Sequence, residues 1–159
     1  MLKSLNAMAV VSGILMFAAG GPAVADEGCS NATLNGEYSF GDTNYTQMQV
    51  VAGIKIFDGS GKFTQRDYQG DSLRLTGQTD FTTGETGTYS VNSDCTGTGI
   101  ITIPVSGISN GTIWFVFAIS DGGRHIHEVV AKFIPPGSPV AVPTQSSADD
   151  WKVGSDHGH

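Results

Sequence analysis

Helical periodicity is the first thing this chain lacks. Beyond residue 25 no segment repeats its apolar residues every 3.6 positions. Gly, Thr and Ser are common there, while Ala, Leu, Lys and Glu are sparse. Such a composition disfavours helices and suits strands joined by tight turns. Basic residues are scarce as well: 8 Lys and Arg stand against 15 Asp and Glu. An acidic surface is repelled by phosphate backbones and by anionic membranes, so no nucleic-acid partner is expected. The chain has no GxSxG, no HExxH, no calcium loop and no phosphate-binding glycine loop ahead of a helix. No catalytic residue can be assigned from a motif, and no cofactor is expected.

Long hydrophobic runs are also missing. The longest, "MAVVSGILMFAAG", has 13 residues, short of the roughly 20 that a membrane span needs. It follows Lys3 and precedes "PAVADE", and Ala23-Val24-Ala25 forms a small-x-small cleavage site. This pattern predicts a secretory signal peptide over residues 1–25 and a secreted or periplasmic protein. Asp26-Glu27-Gly28 ahead of Cys29 does not suit lipoprotein processing. Removal of 25 from 159 residues leaves 134, enough for one domain with a single core. The loss of Lys3 brings the net charge near −8.

Cysteine is nearly absent. Cys29 and Cys95 are the only two, and an even count without CxxC spacing in an exported protein favours a disulfide. The loop closed would be about 67 residues, worth on the order of 4 kcal/mol in the chain-entropy model. Two free thiols or metal ligands are the alternative.

What is present is a series of strand candidates at intervals near ten residues: 36–40, 47–57, 62–69, 72–78, 85–92, 98–106, 112–120 and 124–133. The links "DGSG", "QGD", "NSDCTG", "SNG" and "DGG" supply residues that tolerate positive φ. Links this short force antiparallel pairing, and eight such strands can close and so remove exposed edges. The expectation is an all-β, eight-stranded antiparallel up-and-down barrel over 26–134. An irregular, Pro- and Ser-rich tail over 135–159 would follow, partly disordered from about Thr144. An immunoglobulin-like sandwich fits less well, since Trp114 follows Cys95 rather than lying between the cysteines. A lipid-facing barrel fits poorly too, because strands 62–69 and 85–92 carry polar residues on their second faces.

Five stretches together carry a likeness: the Cys after the signal, "LNGEYSF", "GIKIFDGSGKF", "TGTYSVNSDCTGTG" and the late "DGGRHIH". They resemble a group of small exported bacterial proteins whose barrels are similar to the lipocalin-like (calycin-like) or allene-oxide-cyclase-like kind. The likeness covers most of residues 29–133. It implies the barrel, the disulfide and export. It also implies a lumen used either to carry a ligand or to fold a flexible substrate for a cyclase or isomerase. It transfers no catalytic residue.

The residues most worth locating are His125 and His127. They alternate with Ile126 and share strand parity with Val129, Ala131 and Phe133. If that face is inward, both imidazoles enter the lumen and contact a ligand. If they lie by the "DGG" turn they are rim residues. A His-x-His pair is also half of a metal site, for which Glu85 and Asp67 are possible further ligands. His157 and His159 close the chain as a second, weaker metal candidate. Tyr89, Phe115 and Phe117 would line the same lumen. Strand 112–120 is apolar on both faces; its second row, Trp114, Val116 and Ala118, would lie under the tail or form an oligomer contact. The expected function is binding of a small apolar or amphipathic ligand in the lumen. The alternatives are a cyclase- or isomerase-type enzyme using that pocket, and a structural or surface-interaction protein with a filled barrel.

Overall fold

The computed structural model describes residues 28–71 and 79–154. The expected signal segment, the strand candidate 72–78, His157 and His159 lie outside the described residues. Eight strands run in chain order: β1 (Asn35–Asn44), β2 (Gln49–Asp58), β3 (Lys62–Asp71), β4 (Thr82–Val91), β5 (Thr96–Ile103), β6 (Gly111–Ser120), β7 (His125–Ile134) and β8 (Ser146–Lys152). Each pairs antiparallel with the next, and β8 pairs with β1, so the sheet closes into an up-and-down barrel. No described helix is long and apolar enough to cross a membrane.

The barrel is the expected one, but its last stave is not. The segment read as an irregular tail contributes β8, so the barrel extends to Lys152 rather than ending near 134. β8 alternates as a barrel strand must: Ser146, Ala148 and Asp150 are buried, while Ser147, Asp149 and Trp151 are exposed. The inward residues are small or charged, so no apolar alternation marks the strand in the sequence. The Pro-rich stretch between β7 and β8 crosses one end of the barrel, where Phe133 forms a bridge with Val142. The outer row Trp114, Val116 and Ala118 is therefore not covered by a tail: Val116 and Ala118 are exposed, and Trp114 is half-buried under Lys132, whose Nζ stands 4.6 Å from the ring centroid.

The two ends of the barrel are built differently. One is filled. Leu34 enters it from a short 3-10 turn at Asn31–Thr33, and both Leu34 and Tyr38 are wholly buried. Phe57 packs edge-on against Tyr38 and Tyr89, at 5.2 and 5.1 Å, and Phe63 and Phe115 continue the stack. Glycines make room for these rings. A Cβ at Gly99 would lie 2.2 Å from Phe115, and one at Gly97 would lie 2.2 Å from Phe117. The Cys29–Cys95 disulfide is formed and ties the N-terminal segment to the β4–β5 turn. The turns at this end are held by carboxylates. Asp58 accepts hydrogen bonds from the backbone of Lys62 (2.9 Å) and Ser60 (2.7 Å), which hold it down to about 2.

A chain ended at Thr144 lacks β8 and leaves β1 and β7 as open edges. It is expected to lose its cooperative thermal transition by circular dichroism and to aggregate. A sigmoidal melt at an unchanged Tm would contradict the closure described here.

Candidate functional site

The other end of the barrel is hollow. A cavity of about 370 Å³ opens between the turns there. Its walls are Val51, Ile101, Ile103, Ile113, Val130 and Phe133, and Pro135 and Pro136 stand at the mouth. Its floor is polar and charged. Three strands bring the central group together: Lys55 from β2, Glu128 from β7 and Asp150 from β8. Lys55 Nζ lies 2.5 Å from Glu128 Oε2 and 3.0 Å from Asp150 Oδ2. It also stands over the rings of Phe40 and Phe115, at 4.7 and 5.5 Å. All three charged side chains are almost wholly buried.

A second group faces the same space from β3 and β4. Gln65 and Glu85 are directly opposite in register. Gln65 Nε2 donates to Glu85 Oε2 at 2.8 Å and to Asp67 Oδ2 at 3.0 Å. Nearer the mouth, Ser146 Oγ donates to Asp42 at 2.6 Å. Lys55 is the one cationic side chain among the described residues that line the cavity.

Burial sets the protonation of this floor. A carboxylate taken out of water is penalised, so its pKa rises unless charge or hydrogen bonds offset the loss. Burial pushes Glu128 up to about 8 against the pull of Lys55, and the neighbouring Asp150 carboxyl adds to the rise. Burial and then the charge of Asp67 push Glu85 up to about 8. Asp150, Asp67 and Asp42 are raised as well, again mainly by burial. Burial alone would lower Lys55, but Asp150 and Glu128 outweigh it and hold the ammonium charged above its ordinary value. At neutral pH the floor thus carries Lys55 as a cation set between the carboxyls of Glu128 and Asp150, and Glu85 and Glu128 keep a proton to donate.

The residues singled out in the sequence fall in three places. Phe115 lines the cavity as expected. Tyr89 and Phe117 point inward but belong to the filled end. The Tyr89 hydroxyl is committed to the carbonyls of Leu34 (2.9 Å) and Asn31 (3.0 Å). His125 and His127 do not enter the lumen; they face outward next to the "DGG" turn. The reason is a bulge. Trp114 pairs with Lys132 but Phe115 pairs with Val130, so Ala131 is an extra residue on β7. Phe133 does face the cavity, but across the bulge its parity reverses. Ile126, Glu128 and Val130 then point in, and His125, His127 and Val129 point out. Glu85 and Asp67 lie on the cavity floor and are not partners of the histidines.

Lys55, Glu128 and Asp150 were missed by sequence reasoning. In "GIKIF" the two isoleucines suggest a buried face with the lysine outside. The reverse holds: Ile56 is 48% exposed and Lys55 is 2% exposed. The signal that could have revealed this is Phe57, which shares the parity of Lys55 and follows it immediately on the inner face.

Folding stability should carry the imprint of these carboxyls. Between the ordinary Glu value of 4.5 and about 8, the folded chain keeps protons on Glu85 and Glu128 that the unfolded chain releases. Raising the pH through that window therefore favours unfolding. At the acid end, Asp58, Asp94 and Asp121 are held below their ordinary value by turn hydrogen bonds, and their contribution is lost as pH falls through that range. Tm is expected to peak near pH 4–5 and to fall by several degrees or more towards pH 8, following the usual conversion of free energy to Tm. Glu85→Gln should flatten that slope. A Tm constant or rising from pH 5 to 8 would contradict the assignment.

Comparison with known proteins returns nothing to set beside this geometry: no protein-family model matches the chain, and neither does any curated protein or solved structure.

Proposed function

We propose that the hollow end of the barrel binds a small amphipathic molecule that carries a hydrogen-bond-donating head, a hydroxyl or an amine, on an apolar body. One observation carries this reading: the cavity floor has more acceptors than donors. Four carboxyl groups that line the cavity, on Asp42, Asp67, Glu85 and Glu128, and the wholly buried Asp150 behind Lys55 gather around a single ammonium. Gln65 Oε1 is buried with no hydrogen-bond partner. A buried acceptor left unmade costs roughly 1–3 kcal/mol, which a donor on a ligand recovers. The apolar walls accept the body of such a molecule. The volume lies within the roughly 300–1,000 Å³ of small-molecule sites, near the lower limit. A fatty acid or other anion suits this floor poorly, since it brings only further acceptors to a space whose one ammonium, Lys55, already serves Glu128 and Asp150.

The lipocalin-like or allene-oxide-cyclase-like resemblance, with its carrier or cyclase functions, supports a lumen ligand in general terms. A second reading, a cyclase- or isomerase-type enzyme, is favoured by a different observation. Glu85 and Glu128 each hold a proton up to about pH 8, which matches the requirement that a general acid titrate near its working pH. The third reading, a filled structural barrel, is disfavoured by the cavity itself.

Two dyes of similar shape separate these outcomes. The neutral N-phenyl-1-naphthylamine is expected to bind and to brighten, while its anionic sulfonate analogue binds at least about tenfold more weakly, because a desolvated sulfonate adds acceptors where the one ammonium is already engaged. Ile103→Trp, which sets an indole into the cavity from its wall, should abolish the signal. Equal binding of both dyes, or binding that survives Ile103→Trp, would overturn the proposal. Native mass spectrometry of protein purified from its own host then gives the mass of the natural ligand. If Glu85→Gln keeps that ligand bound but blocks its conversion, the enzyme reading replaces the carrier reading.

A further inference from the structure

We propose that the outer wall formed by β7 and β8 carries a binding site for a divalent transition metal, built from His125, His127 and Asp149. The site is separate from the lumen. His125 and His127 are two apart on β7 and face outward, and Asp149 stands opposite His127 in register on β8. Asp149 Oδ1 lies 3.2 Å from His125 Nε2 and 2.5 Å from His127 Nδ1. One donor atom from each of the three residues lies within 4.8 Å of the others. Zinc bound tetrahedrally at about 2.0–2.1 Å sets its donor atoms about 3.3 Å apart. The His125–Asp149 separation already fits, and the His127–Asp149 separation needs to open by less than about 1 Å.

A second set of contacts holds one ligand in place. His125 is nearly buried, with its ring stacked on the Trp151 indole at 3.6 Å between centroids and 9° between planes. Its Nδ1 is 3.3 Å from Ser120 Oγ, so Nε2 is the atom turned towards Asp149. A ligating imidazole whose second nitrogen is held by a hydrogen-bond partner is the common arrangement in metal sites, because it fixes the ring. His127 and Asp149 are both more than half exposed, so an ion can approach from solvent. Two imidazoles and one carboxylate leave a fourth position for water. This donor set selects Zn(II) or Cu(II) over Mg(II) and Ca(II), which demand oxygen.

The test uses Zn(II) alone, titrated into the full chain by calorimetry. Cu(II) quenching of tryptophan fluorescence is followed in a Trp114→Phe background, where Trp151 is the one indole left to report. A His157→Ala/His159→Ala chain is run beside it, because those residues are a rival source of ligands. The expected result is one Zn(II) per chain, retained in the tail variant and weakened at least about tenfold by Asp149→Asn and by His127→Ala. Cu(II) should quench Trp151, and both substitutions should remove the quenching. His127 and Asp149 are exposed, so neither change removes core packing. Absence of stoichiometric Zn(II) at micromolar concentrations, uptake that survives Asp149→Asn, or uptake lost with the tail histidines would each overturn the proposal.

Discussion

One buried ammonium organises this barrel. Lys55 reaches from β2 to Glu128 on β7 and Asp150 on β8, and so links strands on both sides of the β8 closure. A buried ion pair is a poor way to gain stability, since desolvation of two charges offsets most of their attraction. It is a strict way to specify an arrangement. Remove Asp150 and Lys55 keeps a single carboxyl partner; remove Lys55 and two buried carboxyls lose their common donor. Truncating one partner of such a pair typically costs about 3–5 kcal/mol. β8 has little apolar surface to hold it, so this contact and the ladders to β1 and β7 are what seat it.

The same contact divides the lumen. On one side of Phe40 and Phe115, the rings that flank Lys55, the barrel is packed with aromatic side chains, Leu34 and the strand glycines that admit them. On the other side it is open. Small eight-stranded barrels can be filled by their own side chains, and the filled end shows that this chain has the residues to do so. Placing four carboxyls in the remainder, with Asp150 behind Lys55, leaves acceptors unpaired and carboxyls protonated, which packing alone does not require. Function, in the reading proposed above, takes advantage of that surplus.

Much of this was legible in the sequence. Strand spacing and turn chemistry gave seven of the eight described strands, the antiparallel order and the closure. The cysteine count gave the disulfide. Two features resisted. β8 was hidden because its inner face is Ser146, Ala148 and Asp150, residues that carry no hydrophobic signal until Lys55 is known to be waiting for them. The direction of His125 and His127 was hidden because parity was counted back from Phe133 through a bulge at Ala131, and one extra residue reverses every side chain beyond it. The cavity floor was missed for a related reason. Lys55 between two isoleucines looks like a solvent-facing lysine on an apolar strand, and only the inward run of Phe57, Lys55 and Val51 on β2 contradicts that. Local pattern identifies strands; long-range partners decide which face a charged residue takes.

The most direct test is a pH titration of the glutamate side-chain carboxyl carbons by NMR. Glu85 and Glu128 are expected to titrate near 8. If every glutamate carboxyl titrates between about 4 and 5, the lumen floor is wet, its acids are ionised at neutral pH, and the donor-selective cavity described here does not exist.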